Sequence, residues 1–169
     1  MTYEEFMALP VESSKHYELV EGELFVNPAP NFRHQYVIGV IHSALAAYME
    51  ERGDGLAMMS PIDVVLSPET VLQPDVAVFF GDPSAIVEWK HAAVPPDIAV
   101  EVLSEGSHRH DMVTKRRLYM QHGVKEYWIA DPENRSVTVV RGGEEITAAE
   151  TITTPLLPRF ALALRKVFP

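Results

Sequence analysis

The chain has no cysteine among its 169 residues. Disulfides and thiolate metal sites are therefore excluded, and the composition fits a reducing compartment. No apolar run approaches the roughly 18 residues that a membrane-spanning helix needs. The first ten residues, MTYEEFMALP, lack the basic and apolar regions of a secretory signal. Positive charge is also scarce. Lysine and arginine number 14 against 24 aspartates and glutamates, for a formal net charge of −10. A nonspecific nucleic-acid coat draws its affinity from neutralising phosphates, so this balance weighs against that class. It stays compatible with an enzyme that sets a local basic patch beside acidic metal ligands. No internal repeat and no low-complexity segment is present. The expectation is a cytoplasmic, soluble protein without membrane association, built as one domain over residues 1–169.

What is present reads as an ordinary globular chain, 47% hydrophobic and 22% charged. Thr2 with Glu5 fits a capping box that opens a short helix before Pro10. HYELVEGELFV places Glu21-Gly22 between two apolar runs, which predicts a β-hairpin. NPAPN, residues 27–31, reads as a loop. From Phe32 to Arg52 the apolar residues Val37, Val40, Ile41, Ala44, Leu45 and Tyr48 recur at three- and four-residue spacing. That pattern predicts a helix, stopped at Gly53. Strands are expected over 57–66, with a break at Pro61, and over 74–80, 97–104, 126–131 and 136–141. A second helix is expected from about Arg109 to His122, and short strands near the C-terminus. Residues 1–31 form an N-terminal helix and hairpin, 32–141 a core, and 142–169 a tail of strands. Continuous apolar strands interleaved with helices indicate an α/β or α+β fold, a central sheet flanked by helices.

One strand holds a residue out of keeping with its neighbours. In PPDIAVEVLSEGS, Glu101 sits among Ile98, Ala99, Val100, Val102 and Leu103. An isolated carboxylate in an apolar core is costly, so it is normally paired, protonated or bound to metal. Alternation puts Asp97, Ala99, Glu101 and Leu103 on one face, and Asp75, Ala77 and Phe79 share a face of the preceding strand. Asp75 and Glu101 on adjacent strands would form an oxygen-rich pocket suited to Mg²⁺ or Mn²⁺. The alternatives are a salt bridge from Glu101 to a buried arginine, an edge strand with one wet face, and an Asp75 that merely opens its strand. Metal-assisted phosphodiester hydrolysis also calls for a positioned cation. Lys115, on the following helix and in one stripe with Asp111, Leu118 and His122, is the candidate. An exposed Asp111–Lys115 pair is the plainer reading. HRHDMVTKRR, residues 108–117, is the densest basic stretch, either a phosphate-binding patch or a solvated helix face.

These residues together resemble a known family. YELVEGEL, His34-Gln35, QPDVAVF, EVLS, the Asp-x-x-x-Lys of residues 111–115 and GVKEYWIADP are similar to the Uma-type restriction-endonuclease-like family. The resemblance implies a PD-(D/E)-x-K nuclease core, with a central mixed β-sheet around one or two divalent metals. It makes Asp75 the first acid and Glu101 the second. The usual lysine position, two residues after the second acid, is Leu103 here, and Lys115 from the next helix takes its place. Asp111 would orient Lys115 or border the site. Asp97 follows Pro96 and resembles the motif acid, but the superfamily's acids come from two adjacent strands. The resemblance adds Glu18 as an acid completing the metal site and His34 as a residue lining it. It also implies a homodimer, with Tyr127 and Trp128 as core or interface aromatics.

The expected function is a metal-dependent endonuclease acting on DNA. Asp75 and Glu101 would hold Mg²⁺ or Mn²⁺, Lys115 would stabilise the transition state, and Arg109, Arg116 and Arg117 would contact flanking phosphates. The alternative is a catalytically inactive dimeric binding or scaffold protein on the nuclease fold, since fold alone does not establish function.

Overall fold

The computed structural model describes residues 1–10, 12, 15–28, 31–86, 91–92, 94–104 and 109–169, without the side chains of residues 28 and 109–111. Helix α1 (Tyr3–Met7) opens on the expected capping box: Thr2 Oγ1 accepts from Glu5 N, and Glu5 accepts from Thr2 N. Strands β1 (Lys15–Val20) and β2 (Glu23–Pro28) form the expected hairpin. Its two-residue turn places both Glu21 and Gly22 at positive φ, as a turn matched to strand twist requires. Helix α2 (Phe32–Arg52) is capped by Asn31 at its start and by Gly53 in the left-handed conformation at its end.

The run 57–66 divides at Pro61 more deeply than the sequence indicates. Strand β3 (Gly55–Met59) and strand β4 (Val64–Ser67) join different sheets. Strand β5 (Thr70–Leu72) and helix α3 (Pro83–Ile86) were not foreseen, and both are too short to show a period. Strand β6 (Val76–Phe80) and strand β7 (Ile98–Val102) follow, then helix α4 (Arg109–Gln121), strand β8 (Glu126–Asp131) and strand β9 (Ser136–Arg141). The tail holds strands β10 (Glu144–Thr147), β11 (Thr151–Thr154) and β12 (Leu157–Ala163), and helix α5 (Leu164–Val167).

The main sheet has six strands in the order β10-β9-β8-β7-β6-β3. It is mixed: β7 and β8 run parallel, and the other pairs are antiparallel. The parallel pair needs a crossover, and α4 supplies it. A second sheet has the order β2-β1-β5-β4, and β11 pairs with β12.

Alternation along the strands decides which side each residue serves. Val76, Val78, Ile98, Val100, Val102 and Trp128 bury against α2, β11, β12 and α5. On the other face Ala99 and Tyr127 pack with Leu118 and Tyr119 of α4 and with Leu72 of β5. Each large apolar side chain so buried contributes about 1.5–3 kcal/mol. The second cluster brings the four-stranded sheet, α4 and the centre of the main sheet together. Tyr127 and Trp128 are both fully buried, so neither is available to an interface.

Among the described residues, no helix is long and apolar enough to cross a membrane.

Candidate active site

The register between β6 and β7 pairs Val76 with Val100. One step further on, Asp75 and Glu101 come to facing positions at the end of the pair. Both lie on the α4 side, because Val76 and Val100 face α2. Asp75 Oδ2 accepts from the backbone N of Val102 at 2.7 Å, which clips the acid to the end of β7.

Lys115 reaches this place because it is on the buried stripe of α4. Leu118 and Tyr119 follow it by three and four residues and are buried in the core, so the lysine one turn earlier points the same way. Its Nζ lies 2.9 Å from Glu18 Oε1 and 3.1 Å from Glu101 Oε1. The lysine side chain is only 16% exposed. The expected pairing of Lys115 with Asp111 falls on a side chain outside the described residues. Glu18 comes from β1, where its Oε1 also accepts from Gln73 N at 2.8 Å. Gln73 stands between β5 and Asp75, so the strand that carries one acid is tied to the acid on β1.

His34 enters from the first turn of α2. Its Nε2 lies 2.8 Å from the Val102 carbonyl and 3.4 Å from Asp75 Oδ2. The carbonyl contact requires a proton on Nε2. Burial works against a charged imidazole, but Asp75, the Val102 carbonyl and Glu101 outweigh it and raise the His34 pKa.

Glu101 is only 9% exposed. Burial pushes its pKa up to about 8; Lys115 opposes the rise, and Asp75 and Glu18 add to it. Lys115 is held well above its ordinary value because Glu101 and Glu18 outweigh the cost of its burial. Tyr119, not anticipated from the sequence, donates its hydroxyl to Glu101 Oε1 at 3.0 Å. The available signal was its four-residue offset from Lys115, which places both on one helical face.

The other expected site residues go elsewhere. Asp97 stands four residues before Glu101, roughly 13 Å along an extended strand. Its Oδ2 accepts from Phe80 N at 2.7 Å, and Oδ1 pairs with Lys125 at 2.6 Å. Asp97 anchors the far end of β7 and does not join the acid cluster. Arg116 pairs with Glu145, and Arg117 with Glu21 at 2.7 Å, both at the surface. Arg109 begins α4, but its side chain lies outside the described residues.

Among the described residues, no group of three or more acidic or histidine side chains stands in a ready metal-ligating arrangement. The donor chemistry nonetheless fits a hard divalent cation: Glu18, Asp75 and Glu101 supply carboxylate oxygens. The buried side-chain polar atoms without a partner among the described residues are His34 Nδ1, Gln73 Oε1 and Tyr127 Oη. His34 touches Asp75, Gln73 touches Glu18, and Tyr127 feels the charges of Glu101, Lys115, Asp75 and Glu18. Unsatisfied buried groups are rare and mark sites of function or of a bound water or ion. Here they border one cluster.

The family model described as "Uma2: Putative restriction endonuclease" matches residues 3–165. The chain belongs to this family. Its fold is similar to the crystal structure of a "putative nuclease belonging to DUF820" from Anabaena variabilis ATCC 29413. The TM-score is 0.84 at 22% identity, over 99% of this chain and 97% of that one. No curated protein matches the chain.

Proposed function

We propose that this Uma2-family protein is a metal-dependent endonuclease that hydrolyses phosphodiester bonds of DNA at the cluster of Glu18, Asp75, Glu101 and Lys115. The observation that carries the reading is the convergence of three acids and one lysine from four separate elements onto a buried place on the sheet. A stabilising core has no need of it, because burying such charges costs more than packing apolar residues there.

Asp75 and Glu101 would hold Mg²⁺ or Mn²⁺, with Glu18 completing the oxygen set. Such an ion, when bound, supplies Lewis acidity at the scissile phosphate and a water of lowered pKa. The protein's own part is positioning. The Val102 N–H fixes Asp75, and the carbonyl of the same residue braces His34. Lys115 offers a cation to the charge that develops on the phosphoryl oxygens. Arg116 and Arg117 would exchange their exposed acid partners for flanking phosphates; exposed pairs of this kind are worth at most about 1 kcal/mol. A second copy completes the assembly as a homodimer, pairing on the outermost strand β2, where Leu24, Phe25 and Val26 are exposed.

The test is incubation with plasmid DNA and Mg²⁺ or Mn²⁺. The reading expects cutting by the wild type and none by Glu101→Ala. An uncut plasmid, or equal cutting by the variant, overturns it.

A specific observation favours a second reading, a non-catalytic nuclease-fold protein. Lys115 already pairs with both Glu18 and Glu101, as a lysine would in a site that had lost its metal. A Mn²⁺ titration separates the two, because a degenerate site gives no saturable binding.

A further inference from the structure

We propose that Tyr119 is the positioning residue for Glu101, fixing one carboxylate oxygen so that the other is presented to a bound cation. This rests on the reading of the acid cluster as a metal site. Tyr119 and Lys115 are one turn apart on α4, and both donate to the same oxygen, Glu101 Oε1, at 3.0 and 3.1 Å. A carboxylate has about four lone-pair sites over its two oxygens, so two donors fill Oε1. Glu101 is thereby set up as a ligand through Oε2, the mode in which a carboxylate binds through one oxygen.

The two donors are not equivalent. Lys115 is shared with Glu18 and sits on a long flexible stem, so it can leave Glu101 for a substrate phosphate. Tyr119 has no such freedom. It is fully buried, and its ring lies 5.4 Å from that of Tyr127 at an interplanar angle of 38°. Packing, rather than the ligand, holds the hydroxyl in place. When Lys115 turns towards substrate, Tyr119 still holds the Glu101 rotamer. Partners that orient a metal ligand in this way are typically worth 10–100-fold in metal affinity.

Calorimetric titration of Mn²⁺ into the full chain tests this, with the melting temperature of each protein recorded. Wild type is expected to bind saturably and Glu101→Gln not at all. Tyr119→Phe is expected to bind about tenfold more weakly or worse, with no matching loss of melting temperature. A purely structural tyrosine would move the melting temperature and leave the affinity alone. Equal affinity in wild type and Tyr119→Phe overturns the proposal while the metal site stands. No saturable binding by wild type overturns the metal site, and the proposal with it. Should Tyr119→Phe fail to fold, Tyr119→Met carries the test: weaker Mn²⁺ affinity in the folded variant supports the proposal, and affinity equal to wild type overturns it.

Discussion

The ammonium of Lys115 stands 3.1 Å from Oε1 of Glu101, so the cation on α4 answers the buried carboxylate of β7 directly. It also answers Glu18, and its removal would leave two buried acids without a counter-charge. Breaking a buried pair by removing one partner costs about 3–5 kcal/mol. Lys115→Met is expected to lower the melting temperature substantially and to abolish plasmid cutting. A divalent ion can replace the lost charge, though not the lysine's role at the phosphate. Added Mn²⁺ should therefore raise the melting temperature of Lys115→Met more than that of wild type, without restoring cutting. Scanning calorimetry with and without Mn²⁺ decides it; equal gains would show that the lysine does not stand in for a cation.

The pKa of Glu101, raised from 4.5 to about 8, fixes a pH dependence. A carboxyl with a higher pKa in the folded state binds its proton more tightly there. Its stabilising contribution is complete below 4.5 and is lost as pH rises through about 8. The raised His34 pKa acts in the same direction, being lost as pH rises above its ordinary range. The metal-free protein should lose melting temperature between pH 5 and pH 8, and Glu101→Gln should lose less. Metal competes with the same proton, so Mn²⁺ affinity should climb with pH up to about 8 and then level off. A Mn²⁺ affinity that is flat over this range would show that Glu101 is not a ligand.

Much of this site was legible as a pattern of residue types. Glu101 was visible because it interrupts an apolar strand, and alternation with strand adjacency brought Asp75 to it. What sequence spacing cannot carry is the destination of a side chain across elements. Lys115 reads most plainly as an exposed helix residue until Leu118 and Tyr119 define the buried face of α4. Asp97 shares an alternation class with Glu101, yet the Phe80 N–H and Lys125 hold it at the other end of the strand. Glu126 marks the same limit from the opposite side. It is fully buried, like a catalytic acid, but accepts from Trp128, Arg141 and Thr154. It belongs to the frame of the sheet, and no local pattern separates it from Glu101. The division of the 57–66 run between two sheets was hidden for a related reason, since sheet membership is set by distant partners.

Asp97 supplies a control of the opposite kind. Its pair with Lys125 is half exposed on the lysine side, and such pairs contribute about 1 kcal/mol or less. Asp97→Asn keeps an acceptor for Phe80 N. It should lower stability only slightly and leave Mn²⁺ affinity and cutting near wild type. Loss of metal binding in this variant would move the metal site to the other end of β7 and away from Lys115.

The proposed homodimer would have its seam in strand β2. The two-residue turn makes Val20 and Glu23 the hydrogen-bonded pair that closes the hairpin. Narrow and wide pairs then alternate along the ladder. Glu23, Phe25 and Asn27 direct their backbone groups to β1, and Leu24 and Val26 direct theirs outward. A two-fold axis through Phe25 would set Leu24 of one copy against Val26 of the other, with Glu23 against Asn27. The only charge on the seam thus meets an amide rather than its own kind. Phe25 is the register partner of Glu18, so such an axis would pass beside both acid clusters and leave them on one face of a continuous sheet. A lysine on an edge strand blocks pairing of this sort. Size-exclusion chromatography with light scattering should show a dimer for wild type and a monomer for Val26→Lys, at similar melting temperatures at low concentration. A wild type that stays monomeric, or a Val26→Lys that stays dimeric, would place any self-association away from β2.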